Sequence, residues 1–440
     1  MGQHSSVMLA FCLPVKIMNN EEANYSKRAL DALESGQIDE FNRLYGWALR
    51  KDDDETLYNL AGELYALGFD GKALRIYEKL IERYPGDHEL PVLAAEILVD
   101  QGENDRALAN LEKIPEDSEF YVSALMVEAD LYQTEELYEV SERKLLAAEQ
   151  LAPDEPAIQL ALGELYYTMQ DYPKAVTYYL RLIKQGIPMM SQINIVERLA
   201  ASYAASGKFE KAIAYYEQIH DEDLTPDILM QEGITYLQLN EVQRAQTVLE
   251  KVVDMDSSYS SVYPYLIDAY RRDEEWDKGL TAAQEGLAAD QYNPDLYLLA
   301  AEMAEHAHDD ELVEKYLQKA VELAPDNQAA IIRITDFYNR QGRYAETLNY
   351  ATDEITDAQL NWNVALAEWK TEDFAGAQKH FSAAANDLAD SAPFLLDWYH
   401  FNKENGQLEQ AVDVARKYVK LVPTDLNMQD ELADLEVQGY

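Results

Sequence analysis

A single cysteine, Cys12, stands in 440 residues. That excludes an intramolecular disulfide and any metal site built from several thiolates, and it fits a reducing cytoplasm. Proline (14) and glycine (18) are scarce, which argues against a loop-rich fold or a β-sandwich. Positive charge is short as well. Lys and Arg number 36 against 82 Asp and Glu, a formal net charge of −46. Such a surface repels phosphate backbones and anionic headgroups, so no nucleic-acid partner is expected, and solubility and basic partners are favoured. No apolar run is long enough to span a bilayer. No phosphate loop, H-E-x-x-H, G-x-S-x-G or EF-hand pattern occurs, and GFDGK (68–72) lacks phosphate-loop spacing. The chain therefore reads as no enzyme, with no cofactor and no metal.

Residues 1–21 differ from the rest. Val7 to Val15 is an apolar run broken by Pro14. With no Lys or Arg ahead of it and no small-x-small site behind, it does not read as a signal peptide. The L-A-F-C around Cys12 resembles a lipoprotein attachment box, except that bulky Phe11 stands where a small residue is needed. Gly2 and Ser6 match the myristoylation spacing, which matters only in a eukaryote. The segment is expected to be a disordered extension, with Met18 as the natural start.

What the chain does have is a period. Segments pairing a small residue with a downstream Tyr or Leu recur: LAGELYALG (60–68), LAAEILVDQG (93–102), VEADLYQTE (127–135) and ALGELYYTM (161–169). Their small residues Ala61, Ala95, Ala129 and Gly163 are each 34 apart. The register continues through Ala200, Gly233, Ile267, Ala301, Thr335, Ala365 and Tyr399. A second small residue follows in most units, among them Ala73, Ala107, Ala175, Ala212, Ala245 and Ala377; Val313 and Thr347 break that rule. Large apolar residues such as Tyr77, Leu111, Leu145, Tyr179 and Leu249 come four places later. Apolar spacing of i, i+3, i+4, i+7 marks two amphipathic helices of about 14 residues per unit. Gly68, Gly102, Gly207, Gly342 and Gly406 supply the turn between them, and Pro85, Pro153, Pro325 and Pro423 stop the second helix.

This pattern resembles the tetratricopeptide repeat over residues 22–425. The resemblance extends to the long acidic multi-repeat cytoplasmic proteins of low-GC Gram-positive bacteria. It implies an all-α superhelical solenoid of antiparallel helix pairs that binds proteins. Intervals of 37 between Ala175 and Ala212, around 184–192, and of 30 between Thr347 and Ala377 break the phase. They divide the chain into blocks at 22–188, 189–357 and 358–440, with a bend or hinge expected at each break. The first block opens on a divergent capping repeat (23–50), and the last ends on a capping helix after Pro423.

In the family the first helix of each pair lines a concave channel that takes peptides. The residue after the first small residue should face that channel. Here the column includes Glu96, Asp130, Glu164, Asp268, Glu302 and Asp336. One turn earlier stand Tyr58, Val92, Met126, Leu160, Met230, Leu298 and Trp362. An apolar stripe beside a carboxylate ladder suits a basic or amphipathic peptide, with apolar anchors for affinity and charge for register. The chaperone-binding branch of the family clamps acidic C-terminal tails with Lys and Asn. An acidic ladder predicts no such binding. The bland reading makes the acids a solvated helix position and part of the apolar column core.

Lesser candidates are weaker. His306 and His308 read as a solvated turn. Asp52–Asp53–Asp54–Glu55 reads as favourable charge at a helix N-terminus, and Trp362, Trp369 and Trp398 as core filling. The leading reading is a cytoplasmic scaffold or adaptor. The alternatives are a peptide-sensing regulator and an envelope-anchored assembly factor.

Overall fold

The computed structural model describes residues 24–352 and 355–439, and the reading of residues 1–21 as an extension lies outside them. The described residues are helical pairs in two compact units, one ending at Leu224 and one beginning at Thr225. In the N-terminal unit the pairs are α1 (Tyr25–Glu34) with α2 (Ile38–Lys51), α3 (Asp54–Ala66) with α4 (Asp70–Arg83), and α5 (Glu89–Asp100) with α6 (Asn104–Leu111). They continue with α7 (Tyr121–Thr134) and α8 (Tyr138–Leu151), α9 (Pro156–Thr168) and α10 (Tyr172–Lys184), and α11 (Ile195–Ala205) and α12 (Phe209–Tyr216).

The C-terminal unit pairs α13 (Pro226–Gln238) with α14 (Val242–Met255), α15 (Tyr263–Arg272) with α16 (Trp276–Ala289), and α17 (Pro294–His306) with α18 (Asp310–Leu323). Then come α19 (Gln328–Arg340) with α20 (Tyr344–Leu348), α21 (Ala358–Lys370) with α22 (Phe374–Ala384), and α23 (Ala392–Glu404) with α24 (Leu408–Leu421). A last helix, α25 (Leu426–Val437), packs on α24 and buries Met428 and Leu435.

Small residues sit where the two helices of a pair cross. A Cβ on Gly163 would lie 2.7 Å from Tyr179 Cε1, and one on Gly233 would lie 2.5 Å from Leu249 Cδ2. The same separation relates Ala61 to Tyr77 and Ala95 to Leu111, all buried. Two units depart from that order in the sequence, with Ile267 and Tyr399 in the small position. There the partner position carries Ala283 and Ala415, and all four are fully buried. Large and small have exchanged places, which conserves core volume.

The turn inside each pair has one left-handed residue. Gly68, Gly102, Gly207, Gly342 and Gly406 take φ of 70–76°, as does Gly36 at 70°. In the remaining pairs Glu136, Gln170, Asn240, Glu274, His308 and Glu372 adopt the same conformation, with φ between 57° and 67°. A residue with a Cβ pays about 1 kcal/mol there. The turn geometry is thus kept where its glycine is not.

Not every second helix reaches the expected length. The helices α6 and α12 have 8 residues and α20 has 5. Pro115 follows shortly after α6, and Ile114 and Ile219, just beyond α6 and α12, are buried. Beside α20 the core is polar. Asn363 donates to Thr335 Oγ1 (2.9 Å) and Ile332 O (3.1 Å), while Thr347 donates to Asn339 Oδ1 (2.8 Å). Thr335 and Thr347 therefore serve a buried network rather than a close helix crossing. At the other phase break the extra residues form a two-stranded hairpin, β1 (Met189–Met190) with β2 (Ile193–Asn194). Ser191 and Gln192 turn it with positive φ, the primed turn that suits a twisted ribbon.

Part of the acidity sits at helix ends. Asp53, Asp171, Asp309, Asp357, Asp373 and Asp425 all accept backbone N–H groups as N-caps. Three of the four acids in the Asp52–Glu55 run have such local partners. Asp52 holds Ser26 N–H and Oγ at 2.7 Å, the Asp53 carboxyl is lowered by the Thr56 N–H it accepts, and Asp54 takes Tyr84 Oη at 2.8 Å.

Candidate peptide-binding face

First helices of successive pairs touch: α1 meets α3 and α5 meets α7 in one unit, and α15 meets α17 and α21 meets α23 in the other. That contact brings Glu96 near Asp130 and Asp268 near Glu302.

In the N-terminal unit, Tyr58 is half-buried on α3. Its hydroxyl donates to Glu89 Oε1 (2.9 Å), and its ring stands edge-on to Tyr77 at 6.1 Å. Val92 on α5 and Leu160 on α9 are buried and belong to the core, whereas Met126 on α7 is half-buried. Of the carboxylates, Glu164 is held inside the chain. It accepts the Tyr179 hydroxyl (2.7 Å) and Arg198 Nε (3.1 Å). Glu96 and Asp130 have no hydrogen-bond or ion-pair partner among the described residues. Burial first, then the charges of Asp100 and Asp130, push the Glu96 carboxyl up to about 7. Burial and Asp100 push Asp130 up to about 6.

In the C-terminal unit the ladder is neutralised from within. Asp268 pairs with Arg272 (2.8 Å) and Arg271, and Arg271 also reaches Glu302 (3.6 Å). Asp336 pairs with Arg340 Nε (3.0 Å). Met230 is buried, and Leu298 is half-buried with its carbonyl accepting Arg333 (2.9 Å). Trp362 is half-buried, donates to Asp397 (3.1 Å) and stands edge-on to Phe394. Trp369 and Trp398 are buried in the same aromatic cluster.

The column reading therefore named the acids and missed their cations. Arg271, Arg272 and Arg340 lie one turn further along the same helices as Asp268 and Asp336, an i+3 or i+4 signal present in the sequence. The Tyr65–Asp100 pair was missed as well. Its hydroxyl-to-carboxylate bond (2.6 Å) flanks Glu96. Among the described residues no group of three His, Cys, Asp or Glu is placed to hold a metal ion. His306 instead stacks on Trp276 with ring centroids 3.6 Å apart. No described helix is long and apolar enough to cross a membrane.

Helix pairs in one register, with small residues at each crossing and a left-handed turn inside each pair, define a tetratricopeptide-repeat solenoid. Within that class the chain belongs to the YpiA-like family. It is 31% identical over 414 residues to the TPR repeat-containing protein YpiA of Bacillus subtilis (strain 168), covering 93% of this chain and 98% of that one. This relative comes from a low-GC Gram-positive bacterium, in line with the resemblance noted above. Models of YpiA-like tetratricopeptide repeats and YpiA-like C-terminal tetratricopeptide repeats match residues 133–187 and 359–425. General tetratricopeptide-repeat models match 196–226 and 226–259. Tetratricopeptide repeat protein 21 homolog of Caenorhabditis briggsae is 23% identical over 178 residues, 39% of this chain and 13% of that protein. Among solved structures, the APC/C hetero-tetramer Cut9-Hcn1 matches with a TM-score of 0.40 at 13% identity, covering 94% of this chain and 96% of that one. YrrB, described as a TPR protein with an unusual peptide-binding site, matches with a TM-score of 0.37 at 13% identity, covering 42% and 95%.

Proposed function

We propose that this protein is a non-enzymatic cytoplasmic scaffold or adaptor that takes a basic or amphipathic segment of a partner protein in a concave groove lined by its first helices. The observation that carries this reading is the ladder itself. Carboxylates occupy one equivalent position on α5, α7 and α9, and again on α15, α17 and α19. Half-buried Tyr58, Met126, Leu298 and Trp362 stand one turn away from that column. Charge sets orientation and approach, and apolar contact supplies affinity. Buried Val92, Leu160 and Met230 support the groove from below rather than lining it.

The test is a random peptide display library panned on the wild-type chain and on Glu96→Lys/Asp130→Lys/Glu164→Lys, at low and high salt. The wild type enriches peptides that combine Lys or Arg with apolar residues, salt weakens the enrichment, and the triple variant loses it. Enrichment of acidic C-terminal peptides, or an identical peptide set from both proteins, refutes the reading.

A further inference from the structure

The ladder is not uniform. Its acids on α9, α15, α17 and α19 are already met by the chain's own arginines: Arg198 at Glu164, Arg271 and Arg272 at Asp268, Arg271 at Glu302 and Arg340 at Asp336. Each of these sites is a carboxylate with a guanidinium in place. On α5 and α7 the carboxylates remain and the guanidinium is missing. Glu96 is half-buried, and no side chain of the described residues meets its carboxylate with a hydrogen bond or an ion pair.

The surroundings of Glu96 are specific. Tyr58 and Tyr65 from α3, Tyr77 from α4, Asp100 from its own helix and Asp130 from α7 all lie within its electrostatic reach. Tyr58 and Tyr77 meet edge to face, so their rings do not share one plane. The hydroxyls of Tyr58 and Tyr65 are committed to Glu89 and Asp100, which fixes the rings. On α3, Gly62 holds the ladder position. A Cβ there would meet only Tyr77 Oη, at 3.9 Å, so no side chain fills the space beside the tyrosine. Carboxylates beside fixed aromatic rings and an open glycine position are the features that suit an organic cation. A divalent metal is not the match, because no described group of three ligating side chains is arranged to hold one.

We propose that Glu96 and Asp130, with Tyr58, Tyr65 and Tyr77, form a subsite for a single arginine side chain of the partner. This rests on the groove reading above and narrows it to one place. A planar guanidinium spans two carboxylates and stacks on tyrosine, which an ammonium does less well. The partner's arginine completes in trans the pairing that the other ladder acids have in cis. Burial raises both carboxyls, and the Asp100 charge adds to it at each; a bound cation offsets that crowding of negative charge.

The test uses two synthetic peptides, Ac-Ala-Leu-Arg-Leu-Ala-amide and the same peptide with citrulline, which keeps shape and removes charge. Titrated calorimetrically into the full chain, the arginine peptide binds about tenfold more tightly than the citrulline peptide. Glu96→Gln/Asp130→Asn, isosteric and checked for helicity by circular dichroism, erases the preference. Equal binding of both peptides to the wild type overturns the subsite. So does a preference that survives Glu96→Gln/Asp130→Asn. If the preference instead disappears in Asp268→Asn/Asp336→Asn and persists in Glu96→Gln/Asp130→Asn, the subsite is wrong while the groove reading stands. If neither peptide binds and display panning also enriches no basic peptides, both fail.

Discussion

Tyr65 donates its hydroxyl to Asp100 at 2.6 Å, joining α3 to α5 across one repeat length. The same step recurs elsewhere. Trp362 donates to Asp397 (3.1 Å) and Trp369 to Glu404 (3.0 Å), both from α21 to α23, and Arg340 on α19 donates to Glu305 on α17 (2.7 Å). Donor and acceptor are 35 residues apart each time. These bonds fix how far one first helix slides along the next. Apolar packing alone sets that register less sharply, because it has no direction. Such contacts hold α3 in step with α5, α17 with α19 and α21 with α23.

Stability of the N-terminal unit falls as pH rises through neutrality. Glu96 titrates at about 7 in the fold against an ordinary 4.5, and Asp130 at about 6 against 3.8. Between those limits the folded chain keeps protons that the unfolded chain releases. Their favourable contribution is complete below the ordinary values and is lost as pH climbs through the folded ones. Glu96→Gln/Asp130→Asn is therefore more stable than wild type near pH 8, by on the order of 1–3 kcal/mol, and the advantage shrinks towards about pH 5. Thermal unfolding of both proteins at the two pH values checks this. A variant no more stable near pH 8 contradicts it.

Gly163→Ala destabilises the α9–α10 pair by about 1–3 kcal/mol. The new Cβ lands 2.7 Å from the ring of Tyr179, which is fully buried and tied to Glu164 by its hydroxyl, so the ring has nowhere to move. Gly71→Ala on α4 meets nothing within 4 Å and is neutral or stabilising by up to about 1 kcal/mol. Urea unfolding of the two variants separates them. Equal midpoints would mean that the crossing at Gly163 is looser than described.

Glycine improves the strained turns in a ranked order. Glu136→Gly, Gln170→Gly and Glu274→Gly each place glycine where φ is already 57–60°, and each raises stability by about 0.5–1 kcal/mol. Asn240→Gly gains less, because asparagine tolerates the left-handed region best among the residues compared. Melting temperatures of the four single variants give the order. A larger gain at Asn240 than at Glu274 goes against the account.

The architecture was legible because the crossing position admits only a small side chain, and that demand leaves a mark every 34 residues. Reading failed where a demand is met in an unexpected place. Ile267 and Tyr399 looked like departures because their compensation, Ala283 and Ala415, lies on the partner helix. The turns at Glu136 and Glu274 were invisible because backbone conformation outlasts the glycine that usually marks it. The shortening of α20 was not foreseen, since the polar network of Asn339, Thr347 and Asn363 couples three helices and has no period. At the candidate site the acids could be found by column. Their separation into arginine-paired and unpaired members depends on side-chain reach, which a column does not record.

The 35-residue bonds from Tyr65, Arg340, Trp362 and Trp369 reach one repeat along the chain and no further. A helix pair is thus answerable only to its immediate neighbours. Removing or duplicating one whole unit within an array leaves every surviving pair with the kind of neighbour it had before. Where the 34-residue spacing holds, from Ala61 to Gly163, such a chain can lengthen or shorten by recombination one repeat at a time, each step adding or removing one rung of the solenoid.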